Sequence, residues 1–193
     1  MAVEFELKYS AEAAQQEDIC RQYLSQVRQY QMETSYSDTP SGALSQRRIT
    51  LRRRMENGES VCTVKTPISG YGRGEWDCRC EDLQQSLPLL CQAGAPRELL
   101  ELAAEGLEQV CGARFTRLAG DVTLEGAVVE LALDQGVLLG GGQEQPLCEV
   151  EVELKSGDPD AAVAFGMLLK SKFGLITEEK SKFRRALDLA RGG

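Results

Sequence analysis

Val3-Glu4-Phe5-Glu6-Leu7-Lys8-Tyr9 alternates with a period of two, setting Val3, Phe5 and Leu7 against Glu4, Glu6 and Lys8. Alternation of this kind predicts a β-strand with one apolar and one fully charged face. The pattern returns three times. Arg48, Thr50, Arg52 and Arg54 oppose Ile49, Leu51 and Arg53; Arg73, Glu75, Asp77, Arg79 and Glu81 oppose Trp76, Cys78 and Cys80; Glu149, Glu151 and Glu153 oppose Val150, Val152 and Leu154. One charged face is what the wet side of a half-buried strand looks like. Four of them, with apolar backs that need cover, predict an α+β fold built on a closed antiparallel β-barrel of about eight strands, charged within and jacketed outside by helices. No repeat or linker divides the chain, so one domain over 1–193 is expected.

Around these strands the chemistry of turns and caps predicts the rest. A helix over 11–29 follows Ser10 as its cap, and Thr34 to Tyr36 form a short strand before the turn at Asp38-Thr-Pro-Ser-Gly42. Asn57-Gly58 makes a hairpin with Ser60–Thr66, and Ser69-Gly-Tyr-Gly72 is a glycine-rich break. Leu99, Leu100, Leu102, Ala103, Leu107 and Val110 predict a helix over 96–111; residues 113–140 read as strands broken at Gly120-Asp121, Gly126 and Gln135-Gly136, before the loop Gly140-Gly-Gly142. Helices over 158–173, capped by Asp158 with Pro159 in the first turn, and over 178–190 close the chain. The Trp76, Cys78 and Cys80 face reads as packing on the outer wall.

Composition removes whole classes of chemistry. The 193 residues include no His, which excludes Ser-His-Asp and Cys-His nucleophile systems and histidine zinc sites. Catalysis has to run on carboxylates, Lys, Arg or a metal held by oxygen. With 22 Lys and Arg against 30 Asp and Glu, the net charge of −8 argues against a general nucleic-acid binder while leaving room for a local basic pocket. The run Arg52-Arg-Arg54 has no aromatic platform beside it, so no nucleic-acid partner is expected. Seven scattered Cys without a C-x-x-C pair read as reduced thiols of a cytoplasmic protein. Nothing resembles a signal peptide or a membrane span.

Glu4-Phe-Glu6-Leu-Lys8 resembles the ExExK signature of the CYTH domain, the triphosphate tunnel metalloenzyme superfamily, and further matches follow in order along the chain. Tyr36-Ser-Asp-Thr-Pro40 is similar to the family's Y-x-D-T-P, Leu51-Arg-Arg-Arg54 to L-R-x-R, Thr63-Val-Lys65 to T-x-K and Arg73-Gly-Glu75-Trp-Asp77 to R-x-E-x-E, with Asp for the last Glu. Arg117, Glu130-Leu-Ala-Leu-Asp134, Cys148-Glu-Val-Glu-Val-Glu-Leu-Lys155 and Ser181-Lys182 with Arg185 complete the resemblance, which covers essentially the whole chain. Phe115-Thr116 departs from a K-x-R pair, whose first base would come from Arg114 only in a shifted register.

The resemblance implies a tunnel in which Lys8, Arg52, Arg54, Lys65, Arg73, Arg117, Lys182 and Arg185 clamp a small-molecule triphosphate. Arg73 and Arg185 are the weaker clamps and the better candidates for ion pairs. Glu4, Glu6, Asp134, Glu149 and Glu151 would hold Mg²⁺ or Mn²⁺, hard ions that suit carboxylates. Glu75, Asp77 and Lys8 are the candidate catalytic groups, Lys8 as a base only if its pKa is lowered. The expected reaction is hydrolysis of inorganic triphosphate, as in bacterial inorganic triphosphatases. Thiamine triphosphatase, class IV adenylyl cyclase and a non-catalytic polyphosphate-binding module are the alternatives, and monomer and homodimer both remain open.

Overall fold

β1 (Ala2–Glu4) and β2 (Glu6–Ser10) are separated by Phe5 alone and serve opposite edges of one sheet. β1 pairs with β6 (Arg73–Arg79) and β2 pairs with β9 (Gln143–Gly157), both antiparallel. Between those edges the order is β6, β5 (Glu59–Pro67), β4 (Thr50–Glu56), β3 (Arg28–Asp38), β7 (Glu108–Leu124), β8 (Ala127–Gly140) and β9. The N-terminal strand therefore bonds both ends of a seven-strand sheet and completes the eight-strand barrel. A two-residue strand, β10 (Ile176–Thr177), adds to β2 at Tyr9 and Ser10. The structure, a computed structural model, describes residues 2–68 and 73–192, with residues 2–4 described by backbone only. The break expected at Ser69–Gly72 lies outside the described residues.

The apolar backs of the strands find their cover on the outer wall. α1 (Ala13–Tyr23) and α5 (Pro159–Phe173) bring Ile19, Phe165 and Leu169 onto Leu131, Leu133, Val150 and Val152. α3 (Leu83–Gln92) and α4 (Glu98–Leu102) bring Leu87, Leu90 and Leu99 onto Leu51, Val64 and Trp76, so the Trp76 face is packing, as expected. The short α2 (Ala43–Gln46) seats Leu44 in the same cluster.

α6 (Lys182–Ala190) breaks the pattern of helices outside. Its Phe183, Ala186 and Leu187 pack on Met32, Tyr36, Phe115, Leu138 and Leu147. Phe115 and Leu147 share strand parity with Arg117 and Glu149, the charged inner face, so α6 covers the inside of the barrel at one end. The reason is in the strands: β7, β8 and β9 are charged in mid-length but apolar toward that end, and without α6 those side chains would meet water.

Other local expectations are corrected. Ser10 belongs to β2, and α1 starts at Ala13 behind Glu12, whose N–H donates to Gln15 Oε1 at 2.7 Å. α1 ends at Tyr23, and residues 28–38 are all strand, longer than Thr34 to Tyr36. The helical spacing after Pro96 extends only to Leu102 with a further 3₁₀ turn to Glu105; Gly106 has φ +97°, and Val110 already lies in β7. The last helix starts at Lys182 rather than 178, with Ser181 Oγ accepting from Arg184 N–H at 3.1 Å. α5 is as expected, with Asp158 accepting from Asp160 N–H at 2.9 Å.

Gly120-Asp121 and Gln135-Gly136 are not turns. Both lie inside long strands, and the only break between β7 and β8 is at residues 125–126. A Cβ on Gly136 would come within 2.2 Å of the Arg114 carbonyl and 2.5 Å of Phe115 Cα, and one on Gly120 within 2.5 Å of the Gln26 carbonyl. These glycines mark close backbone approach, which a sequence pattern does not distinguish from a turn. No helix among the described residues is long and apolar enough to cross a membrane.

Candidate active site

The inner faces of β2, β4, β5, β6, β7 and β9 enclose a cavity of about 1010 Å³, lined by Lys8, Arg52, Arg54, Lys65, Arg73, Glu75, Asp77, Arg117, Glu151 and Lys182, with Glu6 also on its wall. Many of the charged residues predicted from alternation line this one space, while Arg79 and Glu81 of the same pattern do not. Asp134 and Glu149 do not line it, because they are fully buried behind Lys182, and Arg185 does not line it either. The side chain of Glu4 lies outside the described residues; its backbone pairs with Arg73.

One wall is basic. β4 alternates so that Arg52 and Arg54 face inward while Arg53 donates to the Glu81 carbonyl at 2.9 Å outside, so the arginine run forms no continuous patch. Glu75 lies between Arg52 and Lys65, 3.4 Å from each, and Asp77 accepts from Thr63 Oγ1 at 2.5 Å. Arg73 donates to the carbonyls of Arg48 and Lys65 at 2.8 and 3.1 Å, anchored rather than loose. Arg54 has little acid beside it. It is 7% exposed and bonds Thr34 Oγ1 at 3.0 Å; among the described residues the carboxylate in ion-pair range is Glu56, at 3.7 Å. Burial, then Arg52 and Arg117, pushes its pKa down to about 10.

The facing wall is acidic and densely paired. Arg117 grips Asp134 through Nε and Nη2, each at 2.7 Å, and reaches Glu151 at 2.5 Å. Lys182 Nζ bonds Asp134 at 2.8 Å, Glu151 at 2.6 Å and Glu149, and Arg185 bonds Glu149 as well. Burial works against the Glu151 carboxylate, yet Lys182 and Arg117 outweigh it and hold its pKa well below the usual range. Arg185 also meets Glu178 at 3.4 Å, so in this structure it is an ion-pair partner set behind the wall. Lys8 is bonded to Glu6 at 3.1 Å, and although burial lowers its pKa, Glu6 raises it further. The lowered pKa that a Lys8 base requires is therefore not found: Lys8 remains an ammonium.

One carboxylate oxygen from each of Asp134, Glu149 and Glu151 lies within 4.8 Å of the others, so this trio could hold a divalent ion. Glu6 stands apart, across the β2–β9 ladder from Glu153.

Two features escaped the sequence reading. Phe115, where a base was missed, has Arg54 and Arg117 guanidinium carbons 5.8 Å and Lys182 Nζ 5.4 Å from its ring centre. Arg114 cannot fill in, because it lies on the opposite face of β7 and pairs with Glu144 at 3.2 Å. Gln16, buried on α1, donates through Nε2 to the carbonyls of Asp134 at 3.0 Å and Glu149 at 2.9 Å, pinning from outside the backbone of two acids whose carboxylates point inward. No sequence signal marks either residue. Gln16→Met leaves two buried carbonyls without that donor and is expected to cost about 1–3 kcal/mol in a urea melt.

The fold is a closed antiparallel barrel in which a basic wall faces a buried acidic trio. The chain belongs to the CYTH domain family, whose profile matches residues 2–187. An inorganic triphosphatase of Haemophilus influenzae is 28% identical over 155 residues, covering 78% of this chain and 44% of that protein, so the match spans less than half of the relative's length. A Hippeastrum protein described as an adenylyl cyclase candidate with a dominant triphosphatase activity superposes with a TM-score of 0.66 at 18% identity, covering 100% of this chain and 96% of the other. A Pyrococcus horikoshii protein gives 0.64 at 20% identity, covering 96% and 99%. These two likenesses show the fold alone.

Proposed function

We propose that the chain is a divalent-metal-dependent triphosphatase that hydrolyses inorganic triphosphate to pyrophosphate and phosphate. The observation that carries this reading is Arg54, buried beside Arg52 and Arg117 with little acid to balance it. A folded protein keeps cations in such company where a polyanion completes the site. The triphosphatase relative in Haemophilus influenzae supports the reaction type.

In this mechanism Arg52, Arg54, Lys65 and Arg73 take phosphate oxygens from one side, and Arg117 and Lys8 meet them from the other. Phosphoryl transfer gives protein little covalent work, so positioning and charge dominate. Asp134, Glu149 and Glu151 would hold Mg²⁺ or Mn²⁺, which when bound neutralises phosphate charge and polarises phosphorus toward attack. Asp77, oriented by the Thr63 hydroxyl, is the lumen carboxylate placed to take the proton of the attacking water at its free Oδ2. Lys8, as an ammonium, donates to phosphate or to the leaving group.

Phosphate release from tripolyphosphate, ATP and thiamine triphosphate, each with and without Mg²⁺ or Mn²⁺, tests the proposal. Tripolyphosphate turnover that stops on chelation is expected. Binding without release would make the chain a polyphosphate-binding module, and cyclic AMP from ATP would make it a cyclase. Glu6→Ala removes the partner that holds the Lys8 ammonium and is expected to lower kcat about 10²-fold; full activity in that variant would remove Lys8 and Glu6 from the mechanism.

A further inference from the structure

We propose that Lys182 is a tethered cation occupying the carboxylate seat, and that it becomes a phosphate-positioning residue only after a divalent ion displaces it. This rests on the metal-dependent reading above and adds an order of events to it.

The geometry begins with space. One ammonium touches all three carboxylates, with contacts of 2.8 Å to Asp134 and 2.6 Å to Glu151 besides that to Glu149. A divalent ion held by these three carboxylates would compete with Nζ for the space among them. The two cannot share it. Charge leads to the same result: Asp134, Glu149 and Glu151 are paired with Lys182, which is buried, and with Arg117 and Arg185, whose side chains are 13% and 15% exposed, and Arg185 also meets Glu178. Adding two positive charges without removing one would leave a buried excess that is costly at low dielectric.

Lys182 is the cation able to leave. Arg117 sits in mid-strand and holds Asp134 with two parallel bonds, a rigid bidentate grip. Lys182 is a point charge on a four-carbon stem at the first residue of α6, after the Ser181 cap. Its side chain already lines the cavity, and its Nζ is 5.4 Å from the Phe115 ring around which Arg54 and Arg117 also gather. An ammonium released toward that ring joins two guanidinium groups, a cluster that an anion stabilises. Metal binding therefore prepares the triphosphate site, and by linkage triphosphate favours the metal-loaded state.

The test needs no turnover. Mn²⁺ is titrated into wild-type and Lys182→Met protein without phosphate, following the free-ion electron paramagnetic resonance signal. Lys182→Met is expected to bind Mn²⁺ about tenfold or more tightly, and Lys182→Arg to bind no better than wild type. Equal or weaker binding by Lys182→Met overturns the proposal, as does absence of Mn²⁺ binding to all three. Because the methionine variant leaves three buried acids with two cations and can lose its fold, a wild-type measurement stands beside it. Amide hydrogen exchange at Arg184 and Arg185, whose N–H groups bond Ser181, should quicken when Mn²⁺ saturates the protein; unchanged or slower exchange rejects displacement. A protein that releases this turn with Mn²⁺ yet never cleaves tripolyphosphate defeats the hydrolase reading alone. One that cleaves it without the affinity gain or the release defeats only the exchange of cations.

Discussion

Replacing Arg54 with methionine should raise thermal stability and remove activity in the same protein. The guanidinium is buried, stands near Arg52 and Arg117, and meets Glu56 only at 3.7 Å, so its charge opposes folding of the free chain. Methionine fills similar volume without that cost, a gain of the order of 1 kcal/mol. Turnover of tripolyphosphate should fall about 10²–10³-fold, the usual loss for one preorganised donor to developing charge. Melting curves and phosphate release on the same samples check both halves, and a variant that loses stability along with activity contradicts this role for Arg54. The pH dependence has a definite sign. Arg54 ionises at about 10 when folded, against an ordinary 12.5, so between those values the unfolded chain binds more protons and folding gains as pH rises. The penalty is full below about 10, and the stability lead of Arg54→Met should shrink as pH climbs from 10 toward 12.

Asp134→Ala has the opposite consequence for stability. Asp134 is completely buried and accepts two bonds from Arg117 and one from Lys182. Removing it leaves Arg117 and Lys182 short of one carboxylate, with Glu149 and Glu151 still beside them, and breaking a buried pair in this way costs about 3–5 kcal/mol, a large share of a domain's stability. Denaturant melts should show the loss, and adding Lys182→Met should recover part of it because the surplus charge goes with the lysine. A fully stable Asp134→Ala protein would mean that the cluster is solvated and loosely paired. Together the two substitutions would separate the walls: an acidic wall that stabilises the fold, and a basic wall held at a cost for the proposed triphosphate.

Much of this was legible in alternation. Glu6, Lys8, Arg52, Arg54, Glu75 and Glu151 face inward because strand period places them there, and the same period sends Arg53 and Arg114 outward. Where period two meets glycine the reading fails, since Gly120 and Gly136 look like turns in sequence and are points of contact in space. The segment over α3 carried no assigned element, because Pro88 interrupts its helical pattern. Gln16 was invisible for a different reason: its partners are backbone carbonyls of residues 118 and 133 positions away, and carbonyls leave no trace in composition.

The amino-acid sequence by itself determined the barrel, its polar interior, the absence of histidine chemistry and the residue types that face the lumen, because each follows from local period and side-chain inventory. Which charges neutralise one another was decided only by tertiary structure. Alternation does not reveal that Lys182, from the last helix, enters the barrel and sits among Asp134, Glu149 and Glu151, or that Arg54 is left nearly unbalanced. Pairing energies depend on distances between residues far apart in the chain and on the water excluded around them, and both quantities exist only once the barrel has closed.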